Sequence, residues 1–264
     1  MRTAVVDVGI GVSAGSANVS SYIAGQKGRN YKFYAEYSAR KEYMSLHNFL
    51  VKKSYIDMDY LYGELSNSGG ENPLDYAAIA KSPVTFIAVA TEAETGRAKY
   101  FDKGDMRPDQ YDILKAFCSI PFVCHPYVID GVPYYDGALS DPIPIEKAYE
   151  LRCEKVVLIL TKPKELRRTP QRDRVLAARI RKKYPLAAIQ LERRAERYNE
   201  GVDRAKEYEK QGKLLIVAPD DTCGMDTLTR DPEAIRRFYE KGMEDGKRRA
   251  ARAQGRSDSA VREA

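Results

Sequence analysis

Residues 3–16, TAVVDVGIGVSAGS, pass without a break from β-branched and apolar residues into Gly, Ser and Ala. Such a run packs as a buried strand (residues 3–10), and the small residues after it permit a tight turn into a helix over residues 17–24. Further apolar runs at 155–161 (KVVLILT) and 213–218 (KLLIVA) also read as buried strands. Residues 83–91 and 97–101, separated by EAETG, read as a hairpin or two adjacent strands, and 128–135 as a β-like stretch. Helical patterns fall at 109–118 and 145–151. Leu191, Ala195, Tyr198, Val202, Ala205 and Tyr208 recur every three or four residues and form one apolar helix face. Asp231-Pro232-Glu233 carries a cap, a first-turn proline and an acid at the positive end of a helix. Buried strands alternating with helices predict an α/β fold whose mostly parallel sheet is covered on both faces.

Composition narrows the class. At 264 residues and 43% hydrophobic content the chain can bury a proper core, and four cysteines without a CxxC pair read as reduced thiols rather than a disulfide frame. No stretch approaches the ~18 apolar residues of a membrane span. The N-terminal run is too short for a secretory leader, so a cytoplasmic location is expected. The net charge of +6 is uneven. The basic excess lies between Lys162 and Tyr184 and around GKRRAARAQGR in the tail, runs suited to anionic lipid headgroups. No nucleic-acid reading motif accompanies them. No Cys/His spacing suits a metal, and neither a metal nor a cofactor is expected.

Gly11-Val12-Ser13-Ala14-Gly15 fits G-x-S-x-G between a predicted strand and a predicted helix. A nucleophilic Ser on such a turn needs small neighbours because its backbone is strained, and the helix N-terminus favours developing negative charge. The same stretch, Gly9 to Ala14, also fits the dinucleotide-binding turn G-x-G-x-x-A, with Glu36 as the acid further on.

A Ser hydroxyl needs a base. The only histidines are His47 and His125, and neither follows Asp136, so a triad in the order Ser, acid, His is disfavoured. The remaining partner is Asp136, in Tyr-Tyr-Asp-Gly-Ala. A partly desolvated carboxylate beside a Ser hydroxyl can take its proton directly, although Asp136-Gly137 is by itself also an ordinary turn.

Taken together, GVSAGS at 11–16, CSIP at 118–121 and YYDGALSDPIP at 134–144 resemble the patatin-like phospholipase family, as do VVDVGIGVSAGSANVSSYI and YELRCEKVVLILTKP. The resemblance implies a three-layer α/β/α fold with a helical C-terminal region. The catalytic core would be residues 1–161; the basic region 162–264 would add one strand at 213–218. It also implies acyl-ester hydrolysis of lipids by a Ser–Asp dyad, with Ser13 as nucleophile and Asp136, followed by Gly137 and Ala138, as proton acceptor. The partner would then be a lipid or acyl-ester substrate, met at a membrane surface that residues 162–184 help to contact.

The family also carries a glycine-rich oxyanion segment, with its own strand, ahead of the nucleophile. Only 12 residues precede Ser13 here and none of them forms that motif; the one adjacent glycine pair, Gly69-Gly70, lies downstream. Loss of such donors is costly in rate. The expectation is a start short of the natural one, with an open sheet edge. The alternatives are a catalytically impaired relative that binds lipid or a partner, and the dinucleotide-binding enzyme.

Overall fold

A computed structural model describes residues 6–121 and 123–262, with side chains to residue 249. Strand β1 (Val8–Val12) turns at Ser13 into α1 (Ala14–Ile23). Four helices follow or interleave with strands: α2 (Arg29–Ala35), α3 (Leu46–Lys52), α4 (Tyr76–Lys81) and, after β2 (Thr85–Glu92) and β3 (Ala98–Asp102), α5 (Asp112–Ala116). Next come β4 (Tyr127–Ile129), β5 (Val132–Asp136), α6 (Ile145–Glu150) and β6 (Val156–Ile159). The chain ends in α7 (Gln171–Ile180), α8 (Pro185–Lys210), β7 (Leu214–Val217) and α9 (Pro232–Arg262). The first strand begins at Val8 and ends two residues later than its apolar run indicates, at the turn; Thr3, Ala4 and Val5 lie outside the described residues.

β2 is the axis of a five-stranded sheet. Ala88 pairs with both Gly11 and Phe101, and Ala90 with both Asp136 and Lys99, so β3 holds one edge of β2 while β1 and β5 share the other. β1 runs parallel to β2 and β5 antiparallel, so the two strands approach head to head and end against Val89 and Ala90. Every residue from Phe86 to Thr91 is buried. Phe86, Ala88 and Ala90 join one core with Phe33, Tyr37 and Leu114, and on β5 Tyr134 faces that core while Tyr135 faces a second one under α7 and α8. Helices therefore cover both faces, and the class is α/β.

The larger sheet is mixed rather than mostly parallel, because only β1–β2 runs parallel. Two hairpins decide this, one turning at Gly96 and one at Asp130-Gly131, all three residues in left-handed backbone conformations that suit tight reversals. A separate parallel pair, β6–β7, packs one face on α6 and α8. The expectation that residues 155–161 are buried throughout fails on the other face. Val157 and Ile159 are 59% and 72% exposed, since no layer covers that side among the described residues. β1 likewise meets no strand on its outer edge among them.

The apolar face of α8 joins the two halves of the molecule. Ala187, Ala188 and Leu191 pack with Tyr135 and Leu139, while Tyr198, Val202 and Ala205 pack with Ile145, Leu214 and Ile216. Asp231 caps α9 as its sequence indicates, its carboxylate accepting from Glu233 N at 3.0 Å.

Candidate active site

The head-to-head approach of β1 and β5 places Ser13 and Asp136 together on either side of the same point of β2. Ser13 stands at φ 54°, ψ −132°, a left-handed conformation that costs a non-glycine residue about 1–3 kcal/mol. Although it opens α1, its side chain caps nothing there. Its hydroxyl instead stands beside the Asp136 carboxylate, close enough to draw that group's pKa down. The residue remains partly exposed.

The turn is this sharp because glycine precedes it. A Cβ on Gly11 would stand 2.2 Å from Ser16 Cα and 2.4 Å from Ser16 N, atoms of the first turn of α1 folding back over the strand. A Cβ on Gly9 would meet Val19 at 2.6 Å. Gly15, the other glycine of the motif, has nothing within 4 Å of such a Cβ among the described residues. Val12 pairs with Val89 and ends the strand; Ala14 is exposed at the start of the helix. The first bond of the helix ladder runs from Ser16 N to Ser13 O at 2.9 Å, so the N–H groups of Ala14 and Gly15 precede it at the positive end of α1.

Asp136 is 3% exposed. Its backbone N–H donates to Ser119 O at 2.9 Å and its carboxylate accepts from Ala138 N at 2.8 Å, which fixes the side chain at the start of a 3₁₀ turn, Gly137–Leu139. Burial pushes the carboxyl above its ordinary range, and the Ser13 hydroxyl, the Ala138 N–H and the Arg194 and Arg168 guanidinium groups partly offset this. Gly137 is required by contact, because a Cβ there would lie 2.2 Å from Val89 O on β2.

Three more groups hold this turn. Thr91 Oγ1 donates to Asp136 O at 2.9 Å and meets Ser140 Oγ at 2.8 Å, and Arg197 of α8 donates to Leu139 O at 2.9 Å. Thr91 and Arg197 lie 45 and 58 residues from their partners, so no local signal in the sequence marks them. Only the strand register and the docking of α8 bring them in.

Chemically, the pair is a hydroxyl beside a buried carboxylate that burial holds above its ordinary range, at the N-terminus of a helix. The histidines stand apart. His47 is exposed on α3, and His125 is exposed with its Nδ1 3.0 Å from Pro126 O. The dinucleotide reading needs an acid at the end of a second strand, but Glu36 is exposed at the C-terminal end of α2. The four cysteines are free thiols; Cys118 and Cys124 are held above the ordinary thiol range chiefly by burial. Among the described residues no group of three or more His, Cys, Asp or Glu could hold a metal ion, and no helix is long and apolar enough to cross a membrane.

Comparison with known proteins places two family models on the chain. One, described as patatin-like phospholipase, matches residues 3–149; the other, described as a domain of unknown function (DUF6363), matches residues 184–255. The chain is 28% identical over 169 residues to the uncharacterized protein YjjU of Escherichia coli (strain K12), covering 62% of this chain and 46% of that protein. It is 32% identical over 68 residues to uncharacterized NTE family proteins of Mycobacterium bovis and Mycobacterium tuberculosis, covering 26% of this chain and 18% of each relative. The chain thus spans less than half the length of these curated relatives.

Proposed function

This chain belongs to the patatin-like phospholipase family, and on that premise we propose that it is a serine acyl-ester hydrolase of lipids working through a Ser13–Asp136 dyad. The observation that carries the reading is the meeting of the two strand ends on β2, which sets the Ser13 turn beside the buried Asp136 carboxylate.

In the first step Ser13 Oγ attacks the ester carbonyl carbon while Asp136 accepts the hydroxyl proton. The tetrahedral oxyanion is met by the N–H groups at the start of α1, that of Ala14 first, as the residue after the nucleophile. Collapse expels the alcohol, which takes the proton from Asp136, and leaves an acyl-Ser13. Water then gives a proton to Asp136 and attacks the acyl carbon. The second collapse releases the fatty acid and returns the proton to Ser13. A carboxyl pushed up by burial suits this cycle because it gives and takes the proton more evenly than an exposed one. Gly11 and Val12 shape the nucleophile turn; Gly137 and Ala138 shape that of the base. In this reading residues 1–161 form the catalytic core, and 162–264 brace it through α8.

The test is hydrolysis of a p-nitrophenyl acyl ester by the chain, with Ser13→Ala and Asp136→Asn alongside, and labelling by a fluorophosphonate. Turnover abolished by both substitutions, and labelling abolished by the first, supports the dyad. A folded chain that neither turns over nor labels overturns it in favour of a lipid- or partner-binding scaffold.

A further inference from the structure

Three of the four most exposed large apolar side chains among the described residues sit on one short helix. Leu46, Leu50 and Val51 of α3 are 73%, 71% and 64% exposed. They share the outer face with His47, while Asn48 is buried on the inner face and donates to Glu42 O at 3.0 Å. Scattered apolar residues on a surface need no explanation, but a contiguous set on one face marks a binding surface.

The segment that carries the helix is closed at its base by a narrow neck. Met44 and Ile56 form an antiparallel bridge, reinforced by Ser45 N to Tyr55 O at 3.1 Å and Asp57 N to Tyr43 O at 2.9 Å. The chain leaves and returns through that one bridge, and residues 45–55 lie beyond it. Arg230 braces the neck from the C-terminal side, donating to Tyr55 Oη at 3.0 Å.

Charge separates this surface from the rest. Residues 43–56 contain Lys52 and Lys53 and no acid. Lys52 pairs with Asp57 just below the neck, while Lys53 is exposed, its ammonium 3.3 Å from Leu50 O. The partly buried rings of Tyr43 and Tyr55 sit at the neck, the depth at which amphipathic rings favour a lipid–water boundary. By contrast, residues 162–184 spend much of their charge within the protein. Lys164 pairs with Glu209, Arg167 with Asp203, Arg172 with Asp226 and Arg181 with Glu192.

One loop connects α3 to the dyad. Ser119 O accepts the backbone N–H of Asp136, and four residues on, Val123 O accepts that of Tyr55 at 2.6 Å; His125 N donates to Ser54 Oγ at 3.2 Å. We propose that α3 is an interfacial anchor. Leu46, Leu50 and Val51 enter the boundary between headgroups and acyl chains of an anionic phospholipid surface, Lys53 meets the headgroup phosphates, and the neck sets the Ser13–Asp136 site beside the lipid. The docking stands apart from the hydrolase reading, which it would serve by delivering substrate.

The chain has no tryptophan, so a single introduced one reports its own surroundings. Leu50→Trp and, as a probe of the other surface, Val175→Trp on α7 are placed in Ser13→Ala to keep vesicles intact. Each is titrated with phosphatidylcholine vesicles with and without phosphatidylglycerol. The expected result is a blue shift of Leu50→Trp on phosphatidylglycerol vesicles alone and none for Val175→Trp. Leu46→Ser, Leu50→Ser and Val51→Ser each lower vesicle partition about tenfold, and Lys53→Glu weakens it further on anionic vesicles. In the Ser13 background, turnover of a soluble ester is unchanged by these four substitutions. A Leu50→Trp signal that moves with protein concentration without lipid, equal partition into neutral vesicles, or a shift of Val175→Trp in its place overturns the proposal. If the chain hydrolyses no ester but Leu50→Trp still inserts, the docking stands and the hydrolase reading falls.

Discussion

Gly11 and Gly15 are equivalent in the G-x-S-x-G pattern and opposite in the fold, so replacing each by Ala separates motif from structure. In Gly11→Ala the new methyl lies 2.2 Å from Ser16 Cα and 2.4 Å from Ser16 N. Both are backbone atoms and cannot swing aside. Ordinary contact begins near 3.4 Å, so the first turn of α1 must withdraw from β1 by roughly 1 Å, an overpacking that costs about 1–3 kcal/mol. For a chain of this size that is a fall of roughly 2–12 °C in Tm. The withdrawal carries Ser13 and the Ala14 N–H with it, and a misplacement of about 1 Å at reacting groups costs on the order of 100-fold in rate. Gly15→Ala meets nothing within 4 Å among the described residues and replaces a poor helix former. It is neutral to about 1 kcal/mol stabilising, and turnover is retained. Thermal unfolding by circular dichroism and kcat/KM on a soluble ester read both effects. A Gly11→Ala enzyme as stable and active as the parent, or a Gly15→Ala enzyme equally damaged, would refute the steric account of the turn.

Asp136→Asn abolishes turnover yet raises Tm at neutral pH. Because burial raises the folded-state carboxyl above its ordinary 3.8, the unfolded chain ionises first as pH rises, and the folded chain bears the cost of the buried charge. The Tm gain therefore shrinks as pH falls toward 3.8, which scans at several pH values check. On the acid side, kcat/KM falls through an apparent pKa above 3.8, as the carboxylate loses its capacity to accept a proton. His47→Gln and His125→Gln leave that limb unmoved, and a limb that shifts with either substitution argues for a histidine base. Arg197→Met leaves Leu139 O without its charged donor and costs about 1–3 kcal/mol. It lowers kcat about tenfold with little change in KM by loosening the Asp136 turn, and Arg197→Lys, which keeps a donor, recovers part of the loss.

The α/β class, the strand–turn–helix at Ser13, the hairpin at 85–102, the apolar face of α8 and the cap of α9 were all legible along the chain. Each is a local pattern of two or a few turns, in which the side chains that decide the structure are neighbours in sequence. The mixed strand directions were not legible, since they depend on where hairpins join β2 rather than on how apolar each strand is. The half-exposed β6 escaped for the same reason: Val157 and Ile159 look like core residues until one asks what lies over them. That several basic residues between Lys162 and Tyr184 have acidic partners was not legible either, because those partners, on α8 and in the loop after β7, lie 11–54 residues away. α3, with only two lysines, drew no notice.

Residue types and spacing by themselves established that Ser13 sits on a sharp turn between strand and helix, and that no histidine follows Asp136. Local sterics and a count suffice for both. That Asp136 reaches Ser13 across 123 residues was decided only in three dimensions, where β1 and β5 end head to head on one edge of β2. So was the bracing of its turn by Thr91 and Arg197, and the burial that raises its basicity. The reason is physical: a turn is set by the atoms of the few residues that make it, whereas the protonation of a carboxylate is set by everything packed around it.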